Sequence, residues 1–351
     1  MRDFKARCCS KKISVIVCAY NEERDVVNCL ESIYKSIGLS GRADDFEVFL
    51  VDNSSEDRTG EFASNFCHRH VGFQYVKIKH CSLSVSRNTA LIKGRGEYVS
   101  YVDADGFVEN SWATELLSIV NKGCMDIISG PVKEATLKSN NPLFDLHYHP
   151  PQIFLPNYLI GANMTFKKSI LDKVGGFPSV FEVRGDESSL LVNLTRENPS
   201  LKRIYSKNVI TYNHFCGDLK GFVKTHFQDG GRSYMLSAYS HSDSKHWTNN
   251  AYRLGSVLLM TIFCMTALVD IEYATYGLLG LLCLKVLREF KYYLYSFLGL
   301  RRGWSVKKVL VFLCLLFNPL VFDLGYAYAF FKTTKPDRDE IKVTNMPEVI
   351  N

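Results

Sequence analysis

From Ile13 to about residue 132, short β-rich apolar runs alternate with stretches of helical period. The run Ile13-Ser-Val-Ile-Val-Cys-Ala19 is almost wholly apolar, as expected of a parallel strand buried on both faces. Phe46–Val51, Phe73–Ile78, Tyr98–Val102 and Asp126–Val132 repeat the pattern. Between the first two runs, Asn21-Glu22-Glu23 opens a stretch in which Val26, Val27, Leu30, Ile33, Tyr34 and Ile37 keep a helical period. Gly38 and Gly41 punctuate its end. Further helices are expected over Arg58–His68, Ser84–Lys93 and Trp112–Val120. Repeated β-α-β units predict an α/β fold with a doubly wound, mostly parallel sheet. A site is then expected at the carboxyl ends of the strands.

One such strand, Tyr98–Val102, rises to Asp103-Ala104-Asp105. A strand sends residues i and i+2 to one side, so two carboxylates converge. They repel each other unless a cation lies between them, and hard oxygen donors suit Mg²⁺ or Mn²⁺. A cation held there can bind a diphosphate. Taken alone, the three residues before Gly106 would read as a solvated turn. The motifs on either side favour a site.

At 351 residues the chain can hold one large domain or two ordinary ones. Its net charge of +6 comes without a long basic run interleaved with aromatics, so nucleic-acid binding is not indicated. The 11 cysteines are scattered, Cys18, Cys264, Cys283 and Cys314 sit in apolar runs, and no paired zinc spacing occurs. This suits a reducing compartment. Met1–Lys12 is polar and basic, and the next apolar run is too short for a signal-peptide core, so the chain is expected to start in the cytosol.

Pro142, Pro150, Pro151 and Pro156 forbid a long helix between about 133 and 160, where His147 and His149 also lie. Gly161–Phe166 reads as a strand, Lys167–Val174 as a helix, and another helix starts near Asp186. After residue 252 the composition turns apolar. Segments 254–269, 273–287 and 309–331 are candidate membrane helices, the last being long enough to cross a hydrocarbon core of ~30 Å. Asn318-Pro319 and Asp323 interrupt it, suggesting a kink or a polar face turned to protein. The basic residues of 285–308 would stay on the cytosolic side. The expected organisation is a cytosolic catalytic domain over 1–250, a membrane-associated helical region over 251–335, and a polar tail over 336–351.

Residues 13 to about 235 resemble the family 2 inverting glycosyltransferases of the GT-A fold. The matching pieces stand in order. They are Val15-Ile-Val-Cys-Ala-Tyr-Asn-Glu-Glu23, Val51-Asp-Asn-Ser-Ser-Glu-Asp-Arg-Thr59, Ser86-Arg-Asn-Thr-Ala90, and Gly96-Glu-Tyr leading to Asp103-Ala-Asp105. Gly161-Ala-Asn-Met-Thr-Phe-Lys-Lys168, Val174-Gly-Gly-Phe177 and Arg184-Gly-Asp-Glu187 follow. Gln228-Asp-Gly-Gly-Arg232 before apolar segments further resembles members that build polysaccharides or glycolipids at membranes.

The resemblance implies a nucleotide-sugar donor, with UDP favoured, held by Ala19, Tyr20, Glu22, Asp52, Arg87, Asp103 and Arg232. Asp52 could accept a hydrogen bond from a base N–H, cap the following helix, or do both. Arg87 could face the base or the phosphates. Arg232 suits a diphosphate, or lipid head groups. Asp105 and Asp103, with His214, are the implied ligands of Mg²⁺ or Mn²⁺, which would offset charge on the leaving diphosphate. Inversion needs a base for the acceptor hydroxyl. Asp186 is the first candidate and Glu187 the second, because Gly185 stands where the family has Glu and leaves the register open.

The acceptor would be lipid-linked or a growing glycan. The localisation would be the cell inner membrane with the catalytic domain cytoplasmic. Two rival readings remain at this level. A sugar nucleotidyltransferase would show a Gly-rich basic loop after the first strand, which Ala19-Tyr-Asn-Glu-Glu23 is not. A membrane scaffold with a degenerate donor pocket is favoured by Gly185 alone.

Overall fold

The computed structural model describes residues 11–135, 159–179, 186–214, 219–240, 243–266, 270–288, 321–332 and 349–350. The chain divides into two compact units. One comprises Met1–Leu137, Asn157–Phe215 and Ile341–Asn351, and the other Lys138–Pro156 and Cys216–Glu340.

In the first unit the strands are β1 (Ile13–Ala19), β2 (Phe46–Asp52), β3 (Phe73–Ile78), β4 (Tyr98–Asp103), β5 (Gly106–Val108), β6 (Ile127–Ser129), β7 (Val132–Glu134), β8 (Met164–Lys167), β9 (Arg203–Tyr205), β10 (Thr211–Asn213) and β11 (Val349–Ile350). The main sheet runs β11-β3-β2-β1-β4-β8-β6-β9. Its centre, β3-β2-β1-β4, is parallel. β8 is antiparallel to both β4 and β6, and β11 is antiparallel to β3. A second sheet runs β5-β10-β7.

The helices are α1 (Val26–Leu39), α2 (Thr59–Arg69), α3 (Leu83–Lys93), α4 (Trp112–Val120), α5 (Lys168–Val174) and α6 (Asp186–Glu197). They cover both faces of the main sheet, as the apolar runs require. Ile13, Val15, Val17 and Ala19 of β1 pack with Leu30 and Ile33 of α1, Ala63 and Phe66 of α2, and Leu116 of α4. The alternate residue Ile16 packs on the other face with Leu91 of α3, Leu171 of α5 and Leu190 of α6. A wholly buried Leu30 or Ile33 contributes about 1.5–3 kcal/mol by leaving water.

The expected fold class of this unit stands, with two differences. The run Asp126–Val132 is not one strand. Gly130-Pro131 splits it into β6 and β7, which join different sheets. Proline has no N–H for the ladder, and the Pro131 carbonyl instead accepts the Thr211 N–H at 3.1 Å. α1 begins at Val26 rather than at Asn21, which sits at φ 57°, a left-handed conformation that ends the strand in a turn.

The second unit contains α7 (Leu219–Ser240), α8 (Asp243–Thr266), α9 (Ile271–Arg288) and α10 (321–332). No helix among the described residues is long and apolar enough to cross a membrane, so the expected membrane-spanning helices find no support there. Residues 254–266 of the first segment form the second half of α8, whose first half is polar, and 267–269 lie outside the described residues. Segment 273–287 lies in α9, which also carries Glu272, Lys285 and Arg288. Residues 309–320 of the third segment lie outside the described residues. Asp323 does turn to protein. It is buried, pairs with Arg253 at 2.6 Å and accepts the Ser256 hydroxyl at 2.6 Å. The glycines of Gln228-Asp-Gly-Gly-Arg232 have a packing role: a Cβ at Gly230 would stand 1.9 Å from the Phe322 carbonyl oxygen, so α7 and α10 touch backbone to backbone.

Candidate active site

The carboxyl ends of β1, β2 and β4 are brought level by register. Ala19 is opposite Asp52 on one side of β1, and Cys18 is opposite Asp103 on the other. Asp52 is wholly buried. Its Oδ1 accepts the Ser55 N–H at 2.9 Å and its Oδ2 accepts the Tyr75 hydroxyl at 2.6 Å. The carboxylate thus shapes the loop after β2. Capping of α2 falls to Asp57, whose Oδ1 accepts the Thr59 N–H at 2.9 Å.

That loop is tied to the one after β1. Glu22 N–H donates to the Thr59 hydroxyl at 2.7 Å, and Glu56 N–H donates to Asn21 Oδ1 at 2.8 Å. The Asn53 side chain pairs like a strand with Cys81, through Nδ2 to the Cys81 carbonyl at 2.8 Å and through Oδ1 from the Cys81 N–H at 2.9 Å. The exposed Tyr20 ring lies 4.7 Å from the His80 ring. His80 was missed in the sequence, since a lone His after a strand carries no pattern. Asn53 and Asp57 were visible only as parts of a loop motif.

Asp103 ends β4 and is partly exposed, while Asp105 opens the turn into β5. Burial pushes Asp105 up to about 7, followed by the charges of Asp103 and Glu22, with an Asn213 hydrogen bond pulling the other way. Burial likewise pushes Glu22 up to about 7, followed by Asp25, Asp103 and Asp57. Glu22, Asp103 and Asp105 therefore form one interacting acidic cluster. β10 serves it from the second sheet. Asn213 pairs with Gly106 in register, and His214 comes next, with Nε2 3.6 Å from Asp25 Oδ1. Asn213 is a second residue missed in the sequence, although it stands beside His214.

No group of three or more His, Cys, Asp or Glu converges to hold a metal among the described residues. The donor set nevertheless fits a hard divalent ion, because Mg²⁺ is commonly held by one or two carboxylates together with substrate phosphates. Burial raises Asp105 and Glu22 most, and the repulsion among the acids that adds to it is what such a cation relieves.

Arg87 of α3 is buried beneath this cluster. Its Nη1 is 2.5 Å from Asp186 Oδ2 and its Nη2 is 3.6 Å from Asp103 Oδ1. Burial works to lower its pKa, but Asp186, Asp103 and Glu187 more than offset this, and the net shift is upward. Asp186 is itself buried, and its Oδ1 meets no hydrogen-bond partner. The adjacent Glu187 is less buried. Burial pushes it up to about 8, followed by the Asp186 charge and a hydrogen bond to Asp186, while Arg87 opposes the shift.

The structure thus brings together Ala19, Tyr20, Glu22, Asp52, Arg87, Asp103, Asp105, Asp186, Glu187 and His214 in the first unit. Arg232 lies on α7 in the second, and its side chain is outside the described residues. His147, His149 and Gly185 are also outside them.

The profile of the family described as Glycosyl transferase family 2 matches residues 14–178. The chain is 28% identical over 154 residues to the uncharacterized glycosyltransferase EpsJ of Bacillus subtilis, covering 44% of this chain and 41% of that protein. It is 26% identical over 186 residues to glycosyltransferase GlyA of Streptococcus pneumoniae, covering 52% of this chain and 23% of that protein. The match thus spans less than half the length of either relative. Among solved structures, the mannosyltransferase PcManGT of Pyrobaculum calidifontis, in complex with GDP-Man and Mn²⁺, aligns with a TM-score of 0.60 at 14% identity. It covers 92% of this chain and 88% of that one, a likeness of fold. Residues 14–178 therefore form a family 2 glycosyltransferase domain, with a GT-A-like fold and a mostly parallel central sheet.

Proposed function

We propose that the chain is an inverting glycosyltransferase that moves a sugar from a nucleotide-diphosphate donor, with UDP favoured, to a hydroxyl on a lipid-linked or growing glycan. The observation that carries this reading is the convergence of one acidic cluster, Glu22–Asp103–Asp105, and one acid pair, Asp186–Glu187, on the same buried arginine. The neighbour solved with GDP-Man and Mn²⁺ supports the donor class and the metal class. Asp103 and Asp105 would hold Mg²⁺ or Mn²⁺, which offsets the charge that develops on the leaving diphosphate.

In the transfer, the acceptor oxygen forms a bond to the anomeric carbon. The bond from that carbon to the diphosphate oxygen breaks, and the diphosphate leaves with the electron pair. The hydroxyl proton goes to a carboxylate on the acceptor side. Glu187 suits this step better than Asp186. Asp186 is buried with Oδ2 held by Arg87, whereas the adjacent Glu187 is less buried, and its ionised carboxylate would take the proton. We therefore place Glu187, the second candidate from the sequence, ahead of Asp186 for this step.

The acceptor class and the membrane belong to this proposal too. α8 exposes Leu258, Leu259, Ile262 and Met265, and α9 exposes Ile271, Tyr276 and Leu279. Such apolar exposure suits attachment to a membrane surface. On this reading the enzyme works at the cytoplasmic face of the inner membrane, where the acceptor is confined. The test is donor turnover. Purified protein with Mn²⁺ should release nucleotide diphosphate from one member of a nucleotide-sugar panel. Loss of that release in Asp105→Asn supports the reading, and full activity in Asp105→Asn rejects it.

A further inference from the structure

We infer that Arg87 is a positioning residue, a buried bridge that fixes the base-bearing end of α6 against the diphosphate-bearing end of β4. The inference rests on the reading of Glu187 as the base. Donor binding was the expected role of this arginine, but both of its terminal nitrogens face carboxylates of the protein. Nη1 forms the short contact to Asp186, and Nη2 lies 3.6 Å from Asp103. The second distance is that of an ion pair without a hydrogen bond. The residues so joined lie 99 positions apart on one side, and Asp103 belongs to a different strand.

The guanidinium is held in place from every side. Its carbon lies 5.4 Å from the centre of the Phe177 ring and 6.0 Å from that of Tyr101. A Cβ at Gly161 would stand 2.9 Å from Nη2, so the backbone there closes over the arginine. A planar fork can span two carboxylates in a fixed relation, which a point-charge ammonium cannot.

That relation matters for inversion. The leaving diphosphate and the base must lie on opposite faces of the anomeric carbon, and the nucleophile must be within reach at the same moment. One set of residues sits at the tip of β4 and the other at the start of α6. Arg87 is ion-paired to both. It sets their separation without touching donor or acceptor.

Three variants test this. Arg87→Lys keeps the charge and loses the fork. The paired variant Arg87→Met with Asp186→Leu removes both buried charges, a replacement proteins tolerate well. Gly161→Ala pushes the guanidinium without changing any charge. Each is measured for thermal midpoint, for affinity toward UDP with Mn²⁺, and for kcat and KM. The donor is whichever of UDP-glucose, UDP-N-acetylglucosamine, UDP-galactose and GDP-mannose the wild type turns over fastest. All three variants should fold and bind UDP with Mn²⁺ within about threefold of wild type. kcat should fall roughly 10- to 100-fold in the first two and less in Gly161→Ala. Wild-type kcat in Arg87→Lys or in the paired variant overturns the inference. A loss of UDP affinity that matches the loss of turnover also overturns it, by making Arg87 a donor ligand. Glu187→Gln is the separate arm. Full kcat there rejects the base itself, and Arg87's role toward it with it, whereas an inactive Glu187→Gln beside a fully active Arg87→Lys rejects only the bridge.

Discussion

Asp186 and Glu187 are neighbours with opposite surroundings, and their variants should behave differently. Glu187→Gln should lower the transfer rate by roughly 10² to 10⁴ while leaving nucleotide affinity and the thermal midpoint close to wild type. Asp186→Asn strips the buried Arg87 of its short partner, and breaking such a pair costs about 3–5 kcal/mol. It should melt markedly lower, and its loss of turnover should follow its loss of fold. Glu187 also gives stability a pH dependence. Its folded pKa of about 8 stands above the ordinary carboxylate value, so between roughly 4.5 and 8 the folded state binds more protons than the unfolded state. Stability contributed by this group is present at low pH and is lost as pH rises through that window. Melting in the absence of metal should therefore fall from pH 5 to 8, and Glu187→Gln should flatten the fall. An unchanged slope in that variant would assign the fall to Glu22 and Asp105, the other carboxyls that burial raises, and not to Glu187. In the sequence, Asp103 was legible as the end of a strong strand pattern, whereas Asp105 lies in the following turn, beyond the period-2 geometry that pointed to it. The choice between Asp186 and Glu187 was not legible, since it depends on an arginine 99 residues away.

At the level of elements, the central strands and helices were readable because burial on both faces demands continuous apolar runs and helical period is strong. The small sheet β5-β10-β7 was not. Its three-residue strands carry no periodic signal, and their pairing is set by the approach of distant backbones. That sheet nevertheless matters to the site, because it delivers Asn213 to Asp105. Gly106 is what allows it to close: a Cβ there would stand 2.3 Å from the Tyr212 carbonyl oxygen. Gly106→Ala should force the two strands apart at a cost of about 1–3 kcal/mol. It should also weaken UDP binding in the presence of Mn²⁺, as measured by calorimetry. Wild-type affinity in a stable Gly106→Ala protein would separate the small sheet from the metal end of the site.

Across the whole molecule, the change of composition after residue 252 was plain, yet its meaning was not. Apolar content predicted membrane spans, whereas in the described helices polar residues share the same turns, and Arg253 and Ser256 fold onto Asp323. Arg253→Ala leaves Asp323 without its buried cation and should destabilise the second unit by about 3–5 kcal/mol. UDP with Mn²⁺ should still bind, because Asp103 and Asp105, which would hold the metal, belong to the first unit, and Arg232 is the one donor candidate in the second. Lost binding in a still-folded first unit would move part of the donor site into the second. The account as a whole turns on nucleotide-sugar chemistry run by an acid at the start of α6. Its most direct measurement is a single-turnover assay of nucleotide-sugar cleavage with Mn²⁺, comparing wild type with Glu187→Gln across the donor panel. The account predicts that the wild type consumes one donor and that the variant binds the same donor but consumes it at least about 100-fold more slowly. Equal rates in the two proteins, or no donor consumed by the wild type, would contradict it.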